Sequence, residues 1–183
     1  MDNGLWLIVG VQAAGKSTVS DLLAREFEHG VHIRGGQFYR WAVSGWIHPA
    51  TELSDEARRL LDLRYRLSAQ AAHEYCLAGF TTVVQDNIFG DDVPTWLKRA
   101  AVQPSRLVVL RPSVSIVKER DQKRLRALGK VAYRPGEMNV EQLDALVAAT
   151  PRIGLWLDSS NQTPAQTVSE ILSRRDEAVV GPF

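Results

Sequence analysis

The run LWLIVG, Leu5 to Gly10, passes directly into VQAAGKS, Val11 to Ser17, and no other stretch limits the fold as tightly. An unbroken apolar run ending at glycine is the pattern of a strand buried on both faces of a parallel sheet. Val19, Leu22, Leu23 and Phe27 then share one face of a helix. Between them, Gly10 to Ser17 satisfies G-x-x-x-x-G-K-[ST] at every fixed position, in the strand-to-helix setting that pattern needs. The residue types carry a chemistry. Gly10 and Gly15 allow torsions and close approach that a side chain would obstruct. Backbone N–H groups can then converge on an anion, reinforced by the helix N-terminus. Lys16 adds a point charge for the β and γ phosphates of a nucleotide, and the Ser17 hydroxyl can ligate Mg²⁺. The expected contacts to ATP are therefore Gly10, Val11, Gln12, Ala13, Ala14, Gly15, Lys16, Ser17 and Thr18. The plain alternative is a glycine-rich turn that happens to contain Lys-Ser.

Alternation organises the rest. Apolar runs at FTTVVQ, SRLVVLRP and RIGLWLDSS, with the short VHIR at Val31 to Arg34, are separated by helical patterns. The long helix after Ser54 has acids in its first turn and Gly79 at its end, as capping requires. Asp91 or Asp92, Ser113 and Asn139 start later helices, and Pro164 occupies a first turn. GGQFYRWAVSGWIHP is a broken helix or a loop. The expected fold is α/β: a three-layer phosphate-loop NTPase fold, with a five-stranded parallel sheet and helices on both faces, residues 1–183 forming one domain. Ligands of such sheets sit beyond the carboxyl ends of the strands. That puts Gly10, Arg34, Asp86, Arg111 and Asp158 on one rim. An acid on a strand next to a phosphate loop serves the metal shell or the attacking hydroxyl, and Asp86 fits that place. A solvated loop acid is the alternative, and Asp91 and Asp92 suit N-capping better.

Composition sets the outer limits. With 183 residues, 45% hydrophobic and 23% charged, the chain can bury a core. A net charge of +1 gives no general basic field for nucleic acid or an anionic membrane. The single Cys76 falls in an apolar helical pattern as a core residue and favours a reducing compartment. The N-terminal apolar run lacks a basic flank and is too short for a signal or a span, so a cytoplasmic protein without membrane partner is expected. A homodimer is an open alternative.

GVQAAGKS, VVQD, KERDQKR and LWLDSSNQT, in that order, resemble the small-molecule kinases of the adenylate-kinase-like phosphate-loop group, which includes shikimate kinase, gluconate kinase and chloramphenicol phosphotransferase. The resemblance spans nearly the whole chain. It implies a short lid over about residues 123–138, entered by a helix whose Arg120 and Arg124 reach adenine and phosphates, with Arg126, Lys130 and Arg134 as weaker candidates. Guanidinium suits both tasks because it stacks flat and forks onto phosphate. The alternative is a charged helix in which these arginines pair with Glu119 and Asp121. The resemblance also implies that Ser160 and Asn161 line the adenine. One departure stands out: relatives carry an aspartate after the second strand, where this chain has Gly35, Gly36 and Gln37. Asp86 would then serve both as metal ligand with Ser17 and as base, or the acceptor is activated otherwise, or transfer is poor.

The acceptor segment is expected over about residues 34–66, with Arg34, Phe38, Arg40 and Asp86 touching the substrate. Its aromatics suit a ring-bearing molecule. Alternatively Phe38, Trp41 and Trp46 are core under the long helix. His48 reads as a loop histidine. The function implied is transfer of the γ-phosphate of ATP, with Mg²⁺, to a hydroxyl of a metabolite or antibiotic, with Lys16, Asp86, Arg120 and Arg124 as catalytic groups. A nucleotide-binding regulator or plain NTPase is one rival. A nucleic-acid 5′-hydroxyl kinase is another, for which Arg58, Arg59, Arg64 and Arg66 would supply a local basic patch.

Overall fold

The computed structural model describes residues 4–47, 54–134 and 136–182; His48 and part of the acceptor segment lie outside them. In chain order the elements are β1 (Leu5–Val9), α1 (Lys16–Arg25), β2 (Gly30–Arg34), α2 (Gly36–Arg40), α3 (Asp55–Leu77), β3 (Thr81–Asp86), α4 (Asp92–Ala100), β4 (Ser105–Leu110), α5 (Val114–Leu128), α6 (Val140–Ala148), β5 (Leu155–Leu157), α7 (Pro164–Ser173) and β6 (Val179–Val180).

The sheet order is β2-β3-β1-β4-β5, all parallel. β1 and β4, the two continuous apolar runs at its centre, are buried at every position, as a strand flanked on both faces must be. Helices form two separate groups against this sheet: α1 packs with α7, and α3 packs with α4. The expected five parallel strands are present. A sixth, β6, pairs antiparallel with the start of β4 through Ser105↔Val180 and Arg106↔Val179. Two residues carry no readable period, so the sequence does not reveal it. β6 takes the lower half of β4 and β5 takes Val108–Leu110.

Three expected caps are built as read. Ser54 accepts the Ala57 N–H at 3.2 Å, Asn139 forms a capping box with Gln142, and Pro164 follows Thr163, which forms another with Gln166. Asp91 and Ser113 stand at N-cap positions, yet neither side chain accepts a backbone N–H of the first turn; the Ser113 hydroxyl meets that of Ser115 in α5 instead. Among the described residues, the stretch read as a broken helix or loop contains the short helix α2, which buries none of its residues. The alternative placing of Trp41 and Trp46 in the core does not hold, since they are 65% and 39% exposed. No helix among the described residues is long and apolar enough to cross a membrane.

Where α3 meets α4, the buried indole N–H of Trp96 donates to the Ser68 hydroxyl at 2.9 Å. Ser68→Ala leaves that donor unsatisfied with almost no change in volume. Chemical denaturation should show a loss of about 1–3 kcal/mol.

Candidate active site

β1 delivers the chain at Val9 to the centre of the rim. The loop that follows is pressed against β4: a Cβ on Gly10 would stand 2.3 Å from the Leu110 carbonyl. Gly10 and Gly15 hold φ of 148° and 99°, and Ala13 holds 61°. A left-handed alanine costs about 1–2 kcal/mol, and backbone strain of this kind gathers at functional sites. Lys16 is only 6% exposed. Its ammonium folds back into the loop and donates to the Gly10 and Val11 carbonyls at 2.8 and 2.7 Å. Burial, with the charges of Arg64 and Arg124 nearby, lowers its pKa to about 7. A polyanion would relieve that penalty. Ser17 and Thr18, by contrast, are exposed at the start of α1.

A cleft of about 450 Å³ opens over this loop, bounded by Ala13 to Val19, by Arg120 and Arg124 of α5, and by Ser159, Gln162, Pro164 and Thr167 after β5. The two arginines, one turn apart, behave differently. Arg120 donates to the Ala14 carbonyl at 3.0 Å and to the Ser159 carbonyl at 2.7 Å, tying the two ends of the cleft together. Arg124 pairs with Asp121 at 2.6 Å, as the charged-helix alternative has it, and still lines the cleft. Asp121 also accepts the Ala132 N–H at 2.8 Å. The neighbouring Tyr133 hydroxyl donates to the Gln12 carbonyl at 2.8 Å. The segment expected as a lid is thus fastened through Ala132 to α5 and through Tyr133 to the phosphate loop. Asn161 is exposed and does not line the cleft, whereas Ser159 and Gln162 do; their place follows only from where β5 ends.

Asp86 stands on the rim as expected, since the β1–β3 register pairs it with Val9. Its side chain, however, has no exposed surface. Oδ2 accepts Arg64 Nε at 2.9 Å and Oδ1 accepts the Asn87 N–H at 2.7 Å, with Arg64 Nη2 closing the fork. As it stands here the carboxylate is closed to a metal and to a hydroxyl. Arg64, which sequence reasoning named only for a local patch in the nucleic-acid alternative, is instead the partner of Asp86. The available signal was its spacing, for it lies one turn before buried Ser68 on the face that also buries Ala57. Of the four arginines offered for that patch, Arg59 pairs with Glu56, Arg66 with Asp62 and Arg64 with Asp86, while Arg58 is exposed. Arg34 and Arg40 are exposed and Phe38 is half-buried against Trp41. Arg111 forks onto Asp144 at 2.9 and 2.8 Å and so belongs to α6.

Among the described residues no cluster of His, Cys, Asp and Glu could hold a metal. The donor set therefore fits Mg²⁺ only in company with phosphate oxygens, through the exposed Ser17 hydroxyl. The phosphate-loop geometry agrees with a sequence comparison in which a profile described as AAA domain matches residues 5–151.

The chain belongs to the AAA domain family.

No curated protein sequence matches this AAA domain. Solved structures do. A sugar kinase from a Janibacter species is 20% identical with a TM-score of 0.65, covering 95% of each chain. A gluconokinase from Sinorhizobium meliloti is 21% identical at 0.60, over 93% of this AAA domain and 90% of that chain. The tunicamycin resistance protein of Deinococcus radiodurans is 15% identical at 0.66, over 97% and 98%. At such identities the likeness is one of fold, and it agrees with the resemblance to phosphate-loop small-molecule kinases.

Arg120→Ala removes both carbonyl links across the cleft of the AAA domain. Its apo melting temperature should fall, since two hydrogen bonds from a charged donor are lost. By calorimetry its Kd for ATP–Mg²⁺ should also rise about tenfold or more, since the phosphate loop and the segment after β5 are no longer held together.

Proposed function

We propose that this AAA domain is an ATP- and Mg²⁺-dependent phosphotransferase acting on a hydroxyl of a small molecule. The observation that carries this reading is the buried Lys16 ammonium, held only by carbonyls inside a strained loop and facing a cleft that two arginines also line. Such an array is complementary to a polyphosphate and to charge developing on a phosphoryl group.

In this reading the N–H groups of Gly10 to Thr18 seat the β and γ phosphates, and Lys16 turns from carbonyls to phosphate oxygens. Ser17 holds Mg²⁺, which when bound neutralises charge on the β and γ phosphates. Arg120 holds the base end of the cleft to the loop, and Arg124 lies ready to leave Asp121 for a phosphate oxygen. The lid segment closes over them and excludes water. The acceptor oxygen bonds the γ phosphorus as the bond to the bridging oxygen breaks. ADP leaves, and the hydroxyl proton passes to the transferred phosphoryl group or to water. Exposed aromatics of 34–47, with Arg34, Phe38 and Arg40, support a ring-bearing acceptor. The kinases of like fold support the reaction class.

The test is a panel of hydroxylated metabolites and antibiotics incubated with γ-labelled ATP. Label should move to one chemical class of acceptor, and Lys16→Ala should lower that rate by a factor on the order of 10² or more. Label released only as free phosphate, with every acceptor, would make the protein an NTPase instead.

A further inference from the structure

Resting on the phosphotransferase reading and deepening it, we propose that Arg64 is a further cation of the transfer site, and that Asp86, seated in the space left by Gly35, is the positioning residue that aims it.

The division of labour follows from what each group has left to offer. Both Asp86 oxygens are engaged and its side chain is wholly enclosed, while the Arg64 side chain keeps 11% of its surface. The fork uses Nε and Nη2 of Arg64. Nη1 stands outside the fork, and the guanidinium lies 4.8 Å from the centre of the Tyr39 ring. An arginine clamped on one edge by Asp86 and held by the side chain of Tyr39, its other hydrogen-bonding neighbour, has few orientations open to it, so its charge is delivered at a fixed point. That point lies near the phosphate loop. Asp86 is in register with Val9, the residue that leads directly into Gly10 of the phosphate loop.

Gly35 makes the arrangement possible. A Cβ there would lie 1.9 Å from Asp86 Oδ2 and 2.5 Å from its carboxyl carbon. Any side chain at position 35 would evict the carboxylate from the fork. At Gly36, nothing stands within 4 Å of a would-be Cβ, so the two adjacent glycines are not equivalent. A buried pair of this kind returns little net stability, because desolvating both charges offsets most of their attraction. Its use is the placement of a cation beside a bound polyanion.

The experiment compares the full-length wild type with Arg64→Gln, Asp86→Asn, the double variant, Gly35→Ala and Arg64→Lys. Melting temperature, ATP–Mg²⁺ affinity and ATP turnover are measured for each. Each single loss of charge should lower both the melting temperature and turnover, the latter by a factor on the order of 10². The double variant leaves no lone buried charge and should regain most of the melting temperature, while its turnover stays low. Gly35→Ala, which keeps both charges, should also lose turnover, and Arg64→Lys should recover part of what Arg64→Gln loses. If turnover returns with stability in the double variant, the pair is scaffold and the proposal is overturned. If the wild type consumes ATP but labels no hydroxyl, the kinase reading fails, and the same comparison made on hydrolysis decides the role of Arg64. A wild type that binds ATP–Mg²⁺ without any turnover overturns both.

Discussion

An ammonium enclosed in protein without a counter-ion is expensive, and the candidate site is arranged around that expense. Lys16 satisfies its donors on two backbone carbonyls of its own loop, which are neutral and therefore weaker partners than phosphate oxygens. The loop can present those carbonyls, and later its N–H groups, only because Gly10 lies hard against the end of β4 and Ala13 accepts a left-handed torsion. The strand that feeds it is buried throughout, so neither end of the loop can drift. The loop is thereby held in one shape around an ammonium that carbonyls satisfy only in part.

The arginines of α5 show how little separates two roles. Arg120 and Arg124 share a helix face, yet Arg120 finds only carbonyls and Arg124 finds a carboxylate. Arg120 therefore joins the phosphate end of the cleft to the segment after β5. Asp121, through Arg124 and the Ala132 N–H, joins α5 to the lid segment.

What could be read in the sequence is what is local in it. The phosphate loop, its strand and its helix are contiguous, and the alternation of apolar runs with helical periods marks the parallel sheet and the caps at Ser54 and Asn139. Features joined across the chain were not legible. The Arg64–Asp86 bond spans 22 residues without a shared period, whereas the pairs Arg59–Glu56 and Arg66–Asp62 lie three and four apart on α3 and were open to reading from spacing. Nor does a Gly-Gly pair disclose which glycine has a carboxylate at its back and which faces open space. The strand β6 is too short for any pattern.

The two borders of the sheet have a consequence for how copies of this chain meet. β5 offers a ladder of only three residues. β2, on the opposite border, has five residues, starts at a glycine and ends at an exposed arginine. Short or charged margins are poor templates for another chain's strand, and the antiparallel β6 already occupies the part of β4 that β5 leaves uncovered. Continuous sheets across molecules, and the fibrous aggregates that grow from them, are thereby disfavoured, and any self-association is to be sought on helical surfaces.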